Sequence, residues 1–346
     1  MSRSVSRTVG IKDVARTAGV SVGTVSNVIN RPDRVGTETR NKVLSAIEQL
    51  GYVRSESARQ LRAGESRIMG LIVLDMGNPF FVDVARGAER TARDKGLGVM
   101  VCNSAQNQRD EAEYLSLFAE QRVRGVLLTP ADASGRNIET FRRSGIPFVL
   151  VDRVGDDPDT CSVSVDDVQG GTLAVRHLLE AGHTSIAYVS GPKTLSQVRD
   201  RRTGALNALR EAGHTPDALR EVTTERLDVS AGRDAGARLL GLAHRPTAVF
   251  CANDLLALGV LQAMYSAGLS VPEDIAIVGY DDIEFAAAAA VPLTSVRQPA
   301  VAMGTLAAEL LLEETDGDAH EHRRVVLQPE LVVRRSSLVA SRPRRT

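Results

Sequence analysis

Apolar residues between positions 11 and 50 recur every three or four residues, the spacing that places them on one face of an α-helix. The first such face comprises Ile11, Val14, Ala15 and Ala18. Gly19 gives the backbone freedom that a sharp stop requires, and Ser21 is a favourable N-cap for a second helix. The pattern therefore predicts two short helices joined by a tight turn.

The second helix and a third one complete a small bundle in this prediction. Their apolar stripes are Val25, Val28 and Ile29, and then Val43, Ala46, Ile47 and Leu50. The third helix is predicted to start near Gly36 and to end at Gly51. The second helix keeps a small, uncharged outer face, which suits close approach to another surface. A helix-turn-helix presents its second helix to the DNA major groove, although any helical hairpin gives this pattern.

From Arg67 onward, continuous apolar runs of strand length alternate with helical patterns. Strands are predicted at residues 68–74, 99–102, 126–128, 148–151, 162–165, 186–189, 248–251, 275–278, 325–327 and 331–333. Helices are predicted at about 80–95, 110–121, 138–143, 167–181, 201–212, 231–240, 255–267 and 301–314. Such alternation is typical of parallel sheets covered on both faces. Two runs of it predict an α/β core with two similar lobes.

Composition limits the class of protein. A chain of 346 residues predicts two or three domains, and a hydrophobic content of 43% is enough for sizeable cores. No run of about 18 apolar residues is present, so we expect no membrane span. The N-terminal segment carries Arg3 and Arg7 but lacks the apolar stretch of a secretory signal, so we expect a cytoplasmic protein.

Charge is distributed unevenly along the chain. Residues 1 to 67 hold twelve basic and six acidic residues, a surplus of +6, and the overall charge of −1 leaves −7 for the rest. A basic head on an acidic body favours contact of the head alone with phosphate groups.

Cysteine and histidine do not predict a metal centre. Cys102, Cys161 and Cys251 are odd in number and widely spaced, which is typical of buried thiols in a reducing compartment. His320 and His322 lie in an acidic stretch and are interpreted as part of a solvated turn. We therefore expect no metal and no cofactor.

A longer set of ordered residues resembles a known family. It comprises Asp13-Val14-Ala15, Ala18-Gly19-Val20-Ser21, Thr24-Val25-Ser26, Asn30, Thr39-Arg40 and Leu50-Gly51-Tyr52. The string is similar to the N-terminal signature of LacI/GalR-type transcriptional regulators, and the resemblance continues over nearly the whole chain. It implies a helix-turn-helix head, a hinge helix and a periplasmic-binding-protein-like core of two doubly wound lobes.

The resemblance implies domain boundaries as well. The head would span residues 1–52, the hinge 53–66, and the effector-binding and dimerisation core 67–340. Lobe one would comprise about 67–164 and 297–326, and lobe two about 165–295 and 328–340. The chain would cross between lobes near Val165, Ser295 and Leu327. No leucine heptad follows Val333, so a homodimer is expected rather than a tetramer.

The resemblance also implies contacts with double-stranded DNA. The candidate residues are Ser21, Val22, Gly23, Thr24, Ser26, Asn27, Asn30, Tyr52, Ala58, Leu61 and Arg62. Leu61 matches a hinge leucine that wedges into the minor groove; alternatively, it is a linker leucine packed on its own domain. Many relatives carry a basic residue where this chain has Asn27, which can bond adenine, whereas Gly23 reads nothing. Specificity would then rest more on Asn27, the hinge and DNA shape.

Polar residues follow several predicted strands, at the sheet edge where open parallel sheets bind ligands. The candidates for effector binding are Asp75, Phe80, Phe81, Asp152, Arg201, Asn253 and Asp281. Carboxylate and amide oxygens accept from hydroxyl groups, a guanidinium donates, and an aromatic face covers a sugar ring. As alternatives, the phenylalanines are ordinary core, and Asp254 is a helix N-cap. Leu227 stands where several relatives have a stacking aromatic residue.

Together these features predict a ligand-responsive repressor that binds a pseudo-palindromic operator as a homodimer. A small polar metabolite, by default a sugar or derivative, would control it from the inter-lobe cleft, with either sign of response. Two alternatives use the same cleft: a solute-binding protein and a sugar-processing enzyme. The missing secretory signal argues against the first. Against the second, the sequence has no Gly-rich phosphate loop, metal-ligand set or Gly-x-Ser-x-Gly elbow, so an enzyme is not expected.

Overall fold

The computed structural model describes residues 9–53, 66–131, 134–155, 157–317 and 320–338. The predicted contacts Ala58, Leu61 and Arg62 lie outside these residues. The described chain divides into two compact units, with the division between Ser66 and Arg67. Among the described residues, no helix combines the length and the apolar character needed to span a membrane.

The N-terminal unit is a bundle of three helices. They are α1 (Ile11–Ala18), α2 (Val22–Asn30) and α3 (Thr37–Leu50). Ser21 caps α2, because its hydroxyl accepts a hydrogen bond from the backbone N–H of Thr24 at 3.0 Å. Gly19 follows α1 with φ of 65°, as a sharp left-handed stop requires. The buried core is made of Val14, Ala15, Val25, Val28, Val43 and Ala46.

The second unit contains twelve strands and nine longer helices in its described part. The strands are β1 (Ile68–Val73), β2 (Gly98–Asn103), β3 (Gly125–Leu128), β4 (Phe148–Val151), β5 (Ser162–Val165), β6 (Ile186–Ser190), β7 (Leu219–Thr223), β8 (Ala248–Cys251), β9 (Ala276–Asp281), β10 (Thr294–Arg297), β11 (Arg324–Leu327) and β12 (Glu330–Val332). The helices are α4 (Pro79–Asp94), α5 (Gln108–Glu120), α6 (Arg136–Arg142), α7 (Asp167–Glu180), α8 (Ser196–Glu211), α9 (Val229–Leu240), α10 (Asp254–Ser266), α11 (Glu284–Ala288) and α12 (Ala300–Asp316).

The strands form two six-stranded sheets, which confirms the predicted α/β fold of two doubly wound lobes. Lobe one has the order β11-β5-β4-β3-β1-β2 and is parallel throughout. Lobe two has the order β12-β10-β9-β8-β6-β7, in which only the edge strand β12 is antiparallel. The inner strands of both sheets are buried, since helices cover them, whereas the edge strands β2, β11 and β12 are partly exposed.

The chain passes between the lobes three times. It leaves lobe one after β5, returns after β10 to form α12 and β11, and enters lobe two again as β12. The second passage follows Arg297, the last residue of β10. Ser295 and Val296, near which this crossing was predicted, lie within β10.

One predicted helix start was several residues late, and two short elements were not predicted. Helix α8 begins at Ser196, five residues before the predicted start, and the predictions lacked β7 and α11. The start of α8 and strand β7 carry few apolar side chains, and α11 is only five residues long. Polar partners fix Gln197 and Arg201 inside α8, and β7 is an edge strand with exposed Arg220 and Thr223. Hydrophobic periodicity cannot show elements of this kind.

Helices α7 and α8 pack at very close range because both carry glycine at the contact. A Cβ added to Gly171 would lie 2.0 Å from the carbonyl oxygen of Arg201, and one added to Gly204 would lie 1.9 Å from that of Val168. Backbone therefore meets backbone, and Arg201 is held close to the start of α7.

We expect Gly171→Ala to lower the free energy of unfolding by about 1–3 kcal/mol or more, because the added methyl group must push α8 away. Urea denaturation measures this. Gly98→Ala is the matched control, since a Cβ there meets no described atom within 4 Å. Equal effects of the two substitutions would contradict the packing argument.

Candidate functional site

The outer face of α2 presents most of the predicted DNA contacts of the head. Val22, Gly23, Asn27 and Asn30 are exposed there, with Val22 at 40%. The amide of Asn30 donates to the carbonyl oxygen of Ser26 at 2.7 Å, which fixes its orientation along the helix. Tyr52 lies beyond α3 and packs partly buried against the core of the head. The side chains exposed along α2 are therefore small and uncharged.

The seven predicted effector residues line one cavity between the two lobes. The space between its walls is about 470 Å³, a figure that includes open solvent at the mouth. Its lobe-one wall includes Asp75, Phe80, Phe81 and Asp152, and its lobe-two wall includes Arg201, Asn253 and Asp281. The carboxyl ends of β1, β4, β8 and β9 supply four of these residues, as expected for an open parallel sheet.

Arg201 is the central charged group of the cavity and is only 5% exposed. Its Nε donates to Asp167 Oδ1 at 2.7 Å, and its Nη1 donates to the carbonyl oxygen of Ala252 at 2.6 Å. Nη1 also lies 3.9 Å from Asp281 Oδ1, and the guanidinium carbon lies 3.7 Å from the centre of the Tyr280 ring. No hydrogen bond from the described residues engages Nη2, so this nitrogen is left to donate to a ligand.

Two buried aspartates make hydrogen bonds that cross from one lobe to the other. Asp152 of lobe one accepts from Gln197 Nε2 of α8 at 2.7 Å. Asp281 of lobe two accepts from Asn78 Nδ2 at 2.8 Å and from Gln298 Nε2 at 2.7 Å. These contacts hold the lobes together at the point where a ligand would bind.

The same two carboxyl groups have displaced pKa values. Burial, with the nearby charge of Asp167, raises the pKa of Asp152 to about 8, against the opposing effects of Arg201 and Gln197. Burial raises the pKa of Asp281 to about 6, and Arg201 and the two amides hold it from rising further. At neutral pH Asp152 is therefore mostly protonated and Asp281 mostly ionised.

Three oxygens on the cavity wall are buried without a partner among the described residues. They are Asp152 Oδ1, Gln106 Oε1 and Gln298 Oε1. A buried acceptor that is left unsatisfied costs about 1–3 kcal/mol. A ligand that brings hydroxyl or N–H donors to these oxygens would remove this cost.

The backbone at the aspartates is left-handed, a conformation that side chains other than glycine rarely adopt. Asp152 has φ of 59°, Asp281 of 103° and Asp282 of 56°. Such residues cluster at functional sites, where the surrounding structure holds them. Two of these residues, Asp152 and Asp281, line the cavity.

The structure decides between the alternatives for the two phenylalanines and for Asp254. Phe80 and Phe81 are buried in the lobe-one core, with ring centres 4.9 Å apart, and both also border the cavity. Asp254 is not the N-cap of α10, because Asn253 Oδ1 accepts from the N–H of Leu256 at 2.9 Å. Asp254 is instead buried and accepts from Ser295 Oγ at 2.7 Å and from the N–H of Ile283 at 2.9 Å.

The sequence did not reveal every residue of the cavity. Gln106, Gln197 and Gln298 contribute amide groups, and Asp167 pairs with Arg201. Glutamine is uncharged, and a single polar side chain is not marked by hydrophobic periodicity in the sequence. Only the position of Asp167 at the start of a helix gave a signal, which equally suited an ordinary helix terminus.

Comparison with known proteins places this geometry in a family. Residues 10–55 match the model of bacterial regulatory proteins of the lacI family, and residues 175–337 match a periplasmic binding protein-like domain. The chain is 36% identical over 327 residues to the HTH-type transcriptional repressor PurR of Photobacterium profundum, covering 94% of this chain and 98% of that protein. It is also 36% identical over 329 residues to the ribose operon repressor of Escherichia coli, covering 94% and 99%. The chain belongs to the LacI family.

Solved structures of LacI-family proteins share the fold. The lac repressor dimer bound to operator and the anti-inducer ONPF has a TM-score of 0.82 at 28% identity, covering 96% of this chain and 100% of that chain. A LacI family regulator from Enterococcus faecium with bound ribose has a TM-score of 0.72 at 31% identity, covering 78% and 98%. The predicted family and its helix-turn-helix, periplasmic-binding-like organisation are thus confirmed.

The pKa of Asp152 makes stability depend on pH in a defined direction. A raised pKa means that the folded state holds a proton that the unfolded state releases from about pH 4 upward, so this stability is lost as pH rises toward 8. Relative to wild type, Asp152→Asn should therefore gain about 1 kcal/mol per pH unit in unfolding free energy within that window.

Denaturant titrations at pH 4 to 8 measure the difference between variant and wild type. The interval from pH 7 to 8 is the most informative, because Asp281, with a pKa of about 6, is already mostly ionised there. Asp217→Asn, on an exposed turn, is the matched control and should run parallel to wild type. A constant difference for Asp152→Asn would contradict the assignment.

Proposed function

We propose that this protein is a transcriptional repressor whose affinity for an operator is controlled by a small polyhydroxylated ligand in the inter-lobe cavity. The observation that carries the proposal is the set of unpartnered oxygens around Arg201, in a chain that also has a helix-turn-helix head. Hydroxyl groups match such a wall, because each can donate to an oxygen and accept from the guanidinium.

Within this class we favour a sugar of about pentose size over a purine base. The cavity wall carries three unpartnered oxygens, those of Asp152, Gln106 and Gln298. Its aromatic residues lie on one wall only, at Phe80 and Phe81. Leu227 lines the cavity where a second stacking ring would be needed to enclose a flat base or to sandwich a pyranose ring. Relatives include both a ribose operon repressor and PurR proteins, so the comparison alone does not choose.

The ligand would act through the hydrogen bonds that join the lobes. Asp152–Gln197 and Asp281–Asn78 span the cavity, and a ligand that replaces or completes them changes the relative stability of open and closed lobes. In a homodimer this motion would alter the two hinge segments and their Leu61 side chains on a pseudo-palindromic operator. The coupling would be about 1–3 kcal/mol, with the sign set by which lobe arrangement the ligand prefers.

On DNA, the exposed face of α2 would enter the major groove. Asn27 is an exposed amide on that face, and an asparagine can bond both N6 and N7 of adenine. Ser21, Thr24 and Ser26 would contact phosphates, which position the helix without reading sequence. A regulator is favoured over an enzyme because the relatives named above are repressors.

We expect ribose or a similar pentose to raise the melting temperature, because saturation at 100 times Kd adds about 2.7 kcal/mol. The same ligand should change operator affinity roughly 5- to 150-fold. Arg201→Lys should lose most of both effects, because lysine keeps the charge beside Asp167 but cannot donate as a fork. Thermal-shift and operator-binding assays measure the two responses.

Arg199→Lys, an exposed change on the same helix, is the control and should respond as wild type does. Stabilisation by purine bases but not by sugars would reject the proposed ligand class. A full response from a folded Arg201→Lys protein would show that the cavity is wrongly assigned.

For DNA, we expect Asn27→Ala to weaken operator binding by about 1–3 kcal/mol while leaving non-specific binding almost unchanged. Fluorescence anisotropy with selected operator and scrambled duplexes at fixed salt separates the two. Gln49→Ala, an exposed amide on α3, serves as the control. An equal loss on both duplexes for Asn27→Ala would mean that this residue positions the head and does not read bases.

A further inference from the structure

Four residues with metal-binding side chains meet outside the cavity. Cys161 Sγ lies 3.0 Å from His320 Nε2 and 3.7 Å from His322 Nδ1, and the two imidazole rings are 5.0 Å apart. Glu314 completes the group, and one ligand atom from each of the four residues lies within 4.8 Å of every other. The two histidines, which the sequence placed in a solvated turn, are therefore half-buried against a fully buried thiol.

This cluster lies at the opposite end of lobe one from the effector cavity. Cys161 directly precedes β5, and His320 and His322 precede β11, which pairs with β5 in parallel from Ser162 and Arg324 onward. Glu314 lies in the last turn of α12. The cluster therefore occupies the amino ends of the strands, whereas the cavity occupies their carboxyl ends.

Two features of the cluster favour the binding of a cation. Glu314 Oε2 is buried and has no hydrogen-bond partner among the described residues. The backbone N–H of Arg323 donates to Cys161 Sγ at 3.3 Å, a contact that stabilises a thiolate. A buried carboxylate oxygen without a donor is costly, and a metal ion would remove that cost.

The donor set matches zinc. Zinc takes sulfur at about 2.3 Å and nitrogen or oxygen at about 2.0–2.2 Å in a tetrahedron, which puts neighbouring ligand atoms about 3.4–3.6 Å apart. The sulfur–nitrogen distances of 3.0 and 3.7 Å bracket that range, and the remaining ligand-atom pairs lie within 4.8 Å, so the side chains would move closer together around the ion. One thiolate, two imidazoles and one carboxylate favour zinc over magnesium or calcium, which require mainly oxygen ligands.

We propose that Cys161, Glu314, His320 and His322 bind one zinc ion at the amino ends of β5 and β11. On binding, the S–H bond of Cys161 breaks, its proton passes to the buffer, and the sulfur electron pair binds the metal. The ion joins the adjacent end of α12 and segment before β11 to the start of β5, which lies far earlier in the chain. No redox change is involved.

The test titrates metal-free, full-length protein with ZnCl₂ and, separately, CoCl₂, in a buffer with a non-thiol reductant. We expect one equivalent of zinc to bind and to raise the melting temperature. Cobalt should give thiolate-to-metal charge-transfer absorption in the near ultraviolet and the intense visible bands of tetrahedral Co²⁺. Cys161→Ser should abolish the charge-transfer band, and His322→Gln should weaken zinc binding at least tenfold.

Matched controls separate this site from other thiols and imidazoles. Cys102→Ser and His214→Gln change residues outside the cluster and should bind as wild type does. His320→Gln, at a half-buried surface position, keeps the test valid if Cys161→Ser does not fold. No stoichiometric binding, or zinc binding that survives in folded Cys161→Ser and His320→Gln proteins, would overturn the proposal and leave a hydrogen-bonded cluster.

Discussion

The buried guanidinium of Arg201 is the constraint on which the inter-lobe region depends. A charge that is removed from water must find partners inside the protein, and here these are Asp167, the carbonyl oxygen of Ala252 and the face of Tyr280. They come from three different elements, so α7, α8 and the carboxyl ends of β8 and β9 are fixed together. The glycine contact between α7 and α8 makes this possible, because any larger residue would hold Arg201 away from Asp167.

This constraint also explains the unusual protonation of the cavity. Asp152, Asp167 and Asp281 share the space around a single guanidinium, and all three carboxyl groups are buried. One cation cannot compensate three desolvated anions, so the carboxyl of Asp152 retains a proton near neutral pH. Ligand binding and protonation are consequently linked in this cavity, because a donor placed against Asp152 competes with that proton.

Sequence patterns predicted the elements of the fold better than the partners of the polar side chains. Asp152, Asn253 and Asp281 were found because they lie at the ends of apolar strands, and parallel topology gathers such positions. Gln197 was missed because its role depends on Asp152, 45 residues away, and nothing local marks it. Cys161 and His320 are 159 positions apart, so the spacing rules for metal sites could not connect them. The hinge prediction at Leu61 lies outside the described residues and stays a prediction.

The three passages between lobes have a consequence for how the protein is made. Strand β5 is synthesised near the middle of the chain, yet its outer neighbour β11 and the covering helix α12 come almost half a chain later. Until then, a nascent chain on the ribosome carries an unpaired strand edge and an uncovered apolar surface, both of which invite association with other chains. Lobe one, although it begins first, cannot be completed before β11 has been made. The growing polypeptide must therefore stay soluble with its first lobe unfinished, a demand that falls on cellular chaperones and on the rate of translation.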